Sequence, residues 1–130
     1  MKAAPERTSA NIEVAPILVV DDDPLIREVV VEMLALQGYR TETAADGAEA
    51  LESIARERPR LVLLDMRMPR MDGWAFAQAL EERGIDIPVI VMTAARDAQS
   101  WASEIGADAY LGKPFRVQSL LSAVERLLNE

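Results

Sequence analysis

The stretch ILVVDDDPLIREVV, residues Ile17–Val30, joins an apolar run to a helix through three consecutive carboxylates. Four apolar residues in a row are typical of a strand that is covered on both faces of a sheet. Asp23 and Pro24 favour a helix start, with aspartate as N-cap and proline at the first helical position. Two carboxylates about 5 Å apart at an effective dielectric constant of about 20 repel each other by roughly 3 kcal/mol. The three acids therefore indicate either a positive partner or side chains that spread into water.

The same order, an apolar run and then a helical pattern, recurs along the chain. The further predicted strands are YRTETAA (39–45, a polar edge strand), LVLLD (61–65), PVIVMT (88–93) and AYLG (109–112). The predicted helices cover residues 25–37 (capped by Gly38), a second helix from the DGAE capping box at 46–49, and residues 74–83, 97–105 and 116–128. Five such units predict an α/β fold with a doubly wound, flavodoxin-like parallel sheet of order 2-1-3-4-5 and helices on both faces.

The composition indicates one globular domain. The chain has 130 residues, of which 50% are apolar, and this argues against disorder. Residues 1–15 are polar and lack periodicity, so we expect a loose tail before a domain that spans residues 16–130. No apolar run approaches the ~20 residues of a membrane span, and no secretion signal opens the sequence. We therefore expect a cytoplasmic protein with no membrane partner.

Two missing residue types and the net charge exclude several kinds of chemistry. The sequence has no cysteine and no histidine, which excludes disulfides, thiolate metal sites and phosphohistidine formation on this chain. The net charge is −8. This argues against direct binding to nucleic acid, because such binding depends on Lys and Arg.

Side chains that can carry chemistry collect at the carboxyl ends of the predicted strands. Asp21 and Asp22 follow the first strand, Asp65 ends the third, Thr93 ends the fourth and Lys113 follows the fifth. In an open parallel sheet, ligands bind beyond these ends at the point where the strand order reverses. We therefore expect the five side chains to face one crevice. Oxygen donors without His or Cys suit a hard cation, and a few carboxylates favour Mg2+ over a full calcium cage.

Two other ligand classes fit the sequence poorly. A calcium loop that begins at Asp21 would need an oxygen donor at its fifth position and glycine at its sixth, where Leu25 and Ile26 stand. A nucleotide or flavin would need glycine-rich backbone N–H groups after the first strand, and three carboxylates would instead repel its phosphate.

Four segments together resemble the receiver domain of two-component response regulators, which has a chemotaxis-regulator-like fold. They are VVDDDP (19–24), LLDMRMPRMDG (63–73), VIVMTA (89–94) and AYLGKPF (109–115). The resemblance covers residues 16 to about 128. It implies that Asp65 accepts a phosphoryl group from a histidine kinase or a histidine phosphotransfer protein and then switches the binding of an unknown output protein. The chain would catalyse only its own phosphorylation and dephosphorylation.

The resemblance also implies roles for the residues around the acceptor. The implied ligands of Mg2+, or of Mn2+ in its place, are Asp21, Asp22, Asp65 and the backbone carbonyl of Arg67. The implied phosphoryl contacts are Thr93 and Lys113, and the implied switch residues are Thr93 and Tyr110. A cis peptide bond is implied between Lys113 and Pro114, where the X–Pro linkage makes the cis form accessible.

One segment departs from the family pattern. The chain from Thr93 to Gly106 is about two residues shorter than the resemblance leads us to expect, which predicts a short or displaced fourth helix. Trp74 and Trp101 are interpreted as helix packing residues.

Two other function classes remain open at this point. A small Mg2+-dependent phosphohydrolase that acts on exogenous substrates would use an acid pair two residues apart, as in Asp21 and Asp23. Pro24 instead favours Asp23 as a helix cap. An interaction module that does not depend on phosphorylation would not require the complete set of acids.

Overall fold

Five parallel strands alternate with five helices in the computed structural model, which describes residues 14–129. The strands are β1 (Ile17–Val20), β2 (Thr41–Ala44), β3 (Leu61–Asp65), β4 (Val89–Ala94) and β5 (Ala109–Lys113). The helices are α1 (Pro24–Ala35), α2 (Gly47–Arg56), α3 (Gly73–Glu82), α4 (Ala95–Ile105) and α5 (Val117–Leu128). The sheet order is β2-β1-β3-β4-β5, so the predicted fold class and strand order are confirmed. Residues 1–13 of the predicted tail lie outside the described residues.

Each face of the sheet has its own apolar core. On one face, alternate residues of the central strands pack against α2, α3 and α4, with Phe76 fully buried among them. On the other face, the intervening residues pack against α1 and α5, with Leu34 and Leu120 fully buried. This two-sided covering explains why the central strands are continuous apolar runs in the sequence.

Aspartates begin the first two helices as predicted. The Leu25 N–H donates to Asp23 Oδ1 at 2.9 Å at the start of α1, and Pro24 is the first helical residue. The Glu49 N–H donates to Asp46 Oδ1 at 2.9 Å at the start of α2. Glu49 Oε1 in return accepts from the Ala45 N–H, one residue earlier than in an ideal capping box. Regular helix α1 stops at Ala35, two residues before the predicted end, but the predicted glycine cap is confirmed: Gly38 has a φ of 87°, its N–H donates to the Ala35 carbonyl, and the Tyr39 N–H donates to the Leu34 carbonyl.

The prediction of a short fourth helix is wrong. Helix α4 has 11 residues and begins directly after β4, which ends at Ala94. The chain is therefore shortened in the connection and not in the helix. The start of α4 also lies against β5, since a Cβ at Gly112 would be 2.6 Å from the Ala95 Cα. Displacement of the helix, the other form of the prediction, stays a prediction.

Two further predictions on packing and backbone are confirmed. The rings of Trp74 and Trp101 meet edge to face between α3 and α4, with centroids 4.8 Å apart. The peptide bond between Lys113 and Pro114 is cis. Within residues 14–129, every helix is too short or too polar to cross a bilayer.

Candidate functional site

Three carboxylates meet where β1 and β3 end side by side. The two strands pair in register from Ile17 with Leu61 to Val20 with Leu64, so the residues that follow lie at the same edge. One carboxylate oxygen from each of Asp21, Asp22 and Asp65 lies within 4.8 Å of the other two. Asp21 and Asp65 are buried, whereas Asp22 is exposed.

An ammonium group from β5 lies against this acid cluster (Asp21, Asp22 and Asp65). Lys113 Nζ donates to Asp21 Oδ2 at 2.7 Å and lies 3.6 Å from Asp65 Oδ1. Of the two arrangements that the sequence left open for the consecutive acids, the structure shows the positive partner, Lys113. The consecutive acids also separate by role: Asp21 is buried and paired, Asp22 faces the opening, and Asp23 caps α1. Three carboxylates against one ammonium still leave an excess of negative charge.

Sequence reasoning missed one contact of this site. Arg27, on α1, donates from Nη1 to the backbone carbonyl of Asp21 at 2.6 Å. This bond fixes the backbone at the point where the acids begin. The residue stands one turn into the helix after the acids, but only the fold shows which carbonyl it reaches.

The remaining predicted residues occupy different surroundings. Thr93 is buried and lies opposite Gly112 in the pairing of β4 with β5. Tyr110 is exposed over 46% of its surface. The Arg67 guanidinium carbon lies 5.2 Å from the centroid of the Trp101 ring, so this side chain rests on α4. The structure thus brings the acids and Lys113 together and leaves Tyr110 about half exposed.

The donor set fits a small hard cation. The acid cluster offers oxygen atoms only, two of its members are fixed by the ends of buried strands, and the third faces solvent. Mg2+ prefers a few carboxylate oxygens and retains several waters, which an open edge of this kind accommodates. Zn2+ would favour nitrogen or sulfur donors, which the cluster lacks.

Comparison with known proteins identifies the family. A model of the response regulator receiver domain matches residues 17–125. The chain belongs to the response regulator receiver family. It is 45% identical over 116 residues to response regulator MprA of Mycobacterium leprae and 46% identical to that of Mycobacterium ulcerans. Both alignments cover 87% of this chain and 50% of the relative, so the chain spans about half the length of these curated relatives.

Solved receiver structures match over most of the chain. The receiver domain of NtrX from Brucella abortus is 36% identical with a TM-score of 0.80, and the match covers 87% of this chain and 98% of that one. Chemotaxis protein CheY4 of Vibrio cholerae is 33% identical with a TM-score of 0.78, covering 88% and 98%. The chain is thus a receiver domain of the two-component response regulator type. The comparisons give no support to the phosphohydrolase alternative.

The electrostatics of the receiver site act most strongly on Asp65. Burial raises the pKa of this carboxyl from its ordinary value of 3.8 to about 6, and the neighbouring Asp21 carboxylate adds to the rise. Lys113 acts in the opposite direction, and Asp22 raises the pKa further. Without a cation, the native receiver therefore holds the Asp65 proton more tightly than the unfolded chain does.

We expect this difference to appear in the pH dependence of stability. In chelator, the free energy of unfolding of the unaltered receiver, taken relative to Asp65→Asn, should fall as the pH rises from about 4 to about 6. The native state releases its proton later than the unfolded state, and the change from 3.8 to about 6 corresponds to roughly 3 kcal/mol. Urea unfolding of both proteins at several pH values measures the difference. A difference that stays constant or grows with pH would contradict the assignment.

Proposed function

We propose that Asp65 accepts a phosphoryl group from the phosphohistidine of a partner histidine kinase or histidine phosphotransfer protein. The carrying observation is the position of its carboxylate, which ends β3 beside two further acids and 3.6 Å from an ammonium nitrogen. Carboxylates are the nucleophiles of aspartyl-phosphate chemistry. An Asp65 oxygen forms the new O–P bond while the N–P bond breaks, and the bonding pair of that bond returns to the imidazole nitrogen.

The other site residues hold the reacting groups in this proposal. Asp21, Asp22, Asp65 and the backbone carbonyl of Arg67 are the proposed ligands of Mg2+. When bound, the cation offsets charge on the transferring phosphoryl oxygens. Lys113 has a long stem and a compact charge, so its ammonium can move from Asp21 to a phosphoryl oxygen. Thr93 is the proposed hydroxyl donor to the phosphoryl group, and Tyr110 the proposed switch aromatic.

The receiver is proposed to catalyse only its own phosphorylation and dephosphorylation. Water attack on the acyl phosphate would return free phosphate and the Asp65 carboxylate, which resets the receiver. In the phosphorylated state the domain would bind its output protein differently. The output protein, a cytoplasmic location, the absence of direct nucleic-acid binding and the extent of the domain over residues 16–130 all stay predictions.

The phosphoryl donor protein is proposed to rest on an apolar groove beside Lys113. The groove has a volume of about 500 Å³ and lies between α1 residues such as Leu25 and Val29 and the turn at Pro114 and Phe115. Leu25 is 67% exposed and Val29 43% exposed, so both apolar side chains are accessible to a partner. A phosphohistidine must approach Asp65 to bonding distance, so its protein has to cover the rim of the site. An apolar rim suits helices that present the histidine.

A charge in the groove should separate the kinase from a small phosphodonor. Val29→Glu is expected to slow transfer from a phosphorylated histidine kinase at least tenfold, because central apolar contacts dominate binding at interfaces. Phosphorylation by acetyl phosphate should be unchanged, since that donor needs no docking surface. The histidine kinases of the source organism are first compared, and the one that phosphorylates the unaltered receiver fastest is used in the experiment. Phosphorylation of each receiver variant is then measured in time courses.

Leu36→Glu is the matched control, because Leu36 is exposed on the chain after α1 and does not line the groove. It should leave both reactions unchanged. If Val29→Glu slowed transfer from the kinase and phosphorylation by acetyl phosphate equally, the groove would not be the docking surface of the kinase. Labelling by acetyl phosphate with no transfer from any kinase would overturn the proposed class of partner.

A further inference from the structure

The loop between β3 and α3, residues 66–72, is tied down at both of its ends. The Gly73 N–H donates to the Met66 carbonyl at 2.9 Å, and the Gly47 N–H donates to the Met71 carbonyl at 2.9 Å. The second bond joins the loop to the start of α2. The approach is close, because a Cβ at Gly47 would lie 2.6 Å from the Met71 Cγ. The loop that carries the Arg67 carbonyl therefore depends on α2 for its position.

Arg70, in the middle of this loop, has an unusual backbone conformation. Its φ is 64°, and it is the one non-glycine residue with a positive φ in the described part of the chain. The Met71 N–H donates to the Pro69 carbonyl at 2.7 Å, which closes a three-residue turn around Arg70. The left-handed region costs a residue with a Cβ roughly 1–2 kcal/mol. An arginine therefore needs a further stabilising interaction to occupy this conformation.

A buried carboxylate provides that second interaction. Arg70 Nη2 forms an ion pair with Asp46 Oδ2, while the other oxygen of Asp46 accepts the capping N–H of Glu49. Asp46 is fully buried, whereas the Arg70 side chain is 66% exposed. A buried carboxylate without a positive partner is costly, so the pairing benefits α2 and the loop together. Glu49 Oε2 lies 3.7 Å from the same guanidinium and adds to the attraction.

We propose that Arg70 is a positioning residue for the cation site, because its ion pair with Asp46 fixes the backbone that carries the Arg67 carbonyl. The inference rests on the proposed function in one respect, the role of that carbonyl as a Mg2+ ligand. Residues that orient metal ligands without touching the metal change affinity by about 10–100-fold when they are replaced. Arg70 would act in this way from three residues along the loop.

Three variants separate the positioning role from simple support of α2. Arg70→Gly removes the guanidinium. Because glycine adopts a positive φ without strain, the turn itself can persist, and a change in Mg2+ affinity then reports the lost ion pair. Asp46→Asn removes the charge and keeps an oxygen that can cap α2. Arg70→Lys keeps the charge. Arg40→Ala is the matched control, because it removes a two-pronged ion pair with Glu57 that lies outside the loop and the acid cluster.

Mg2+ affinity is measured for each variant of the 130-residue chain by titration of tryptophan fluorescence, and melting temperature is recorded on the same samples. Arg70→Gly and Asp46→Asn should each raise the Kd for Mg2+ about tenfold. The double variant should be no weaker than either single one, because both remove one ion pair. Arg70→Lys should recover most of the affinity, and Arg40→Ala should keep the unaltered Kd.

Lower melting temperatures with an unchanged Kd would overturn the inference and leave Arg70 as a support of α2 alone. Additive losses in the double variant would also overturn it. Failure of the unaltered receiver to bind Mg2+ is a different result, since it would overturn the proposed function itself.

Discussion

Asp65→Asn is expected to abolish phosphorylation of the receiver by acetyl phosphate. The amide cannot act as the nucleophile. Asp21, the other buried acid of the cluster, already accepts hydrogen bonds on both oxygens, from the Asp23 N–H at 3.0 Å and from Lys113 Nζ at 2.7 Å, whereas Lys113 lies 3.6 Å from Asp65. Intact-protein mass spectrometry should show one added phosphoryl group on the unaltered receiver and none on the variant.

Asp72→Asn is the control for this experiment. Asp72 is an acid at the same edge of the sheet, but its side chain caps α3 by accepting the Ala75 N–H at 2.9 Å, and asparagine can do the same. This variant should be labelled as fully as the unaltered chain. Equal labelling of Asp65→Asn and the unaltered chain would remove the acceptor role from Asp65.

Mg2+ is expected to stabilise the receiver against unfolding. The acid cluster concentrates negative charge that Lys113 offsets only in part, and the unfolded chain does not gather these oxygens. A ligand that binds the native state alone contributes about 2.7 kcal/mol at a hundredfold excess over its Kd. Thermal melts with Mg2+ and with chelator should therefore differ by several degrees.

Asp22→Asn tests both the repulsion among the acids and the binding of the cation. Asp22 is the exposed member of the cluster, so its replacement removes repulsion without opening the core. The melting temperature in chelator should rise above that of the unaltered receiver, and the increase caused by Mg2+ should be lost. Identical melts of the unaltered chain with and without Mg2+ would contradict the cation site.

The central strands could be predicted from the sequence because burial on two faces requires a continuous apolar run. Leu61–Asp65 and Ile17–Val20 have the predicted bounds. Helix starts that depend on a local cap, such as Asp23 and Asp46, were equally accessible. The length of helix α4 could not be predicted. The sequence shows that the segment from Thr93 to Gly106 is shorter than the family resemblance implies, but it does not show whether the loop or the helix is the shorter part. Ala94 occupies the N-cap position and no side chain caps the helix, so the sequence carries no local signal for this helix start.

The acid cluster and Lys113 could be predicted from the strand ends, whereas the contacts of two arginines could not. Strand order places Asp21 and Asp65 together whatever their side chains do. Lys113 was expected at the site with the acids, but its role as a phosphoryl partner came from the family resemblance. Arg27 and Arg70 were missed because a long, flexible side chain can reach many acceptors, and the fold decides which one it meets.

The central claim is that Asp65 forms an acyl phosphate only when a divalent cation is bound, and locating the modified residue tests it most directly. The receiver is treated with acetyl phosphate in Mg2+ or in chelator, reduced with borohydride to convert an aspartyl phosphate to homoserine, and digested for peptide mass spectrometry. We expect homoserine at position 65 in the Mg2+ sample and aspartate at that position in the chelator sample. Homoserine at position 21 or 22, or equal conversion in chelator, would contradict the account.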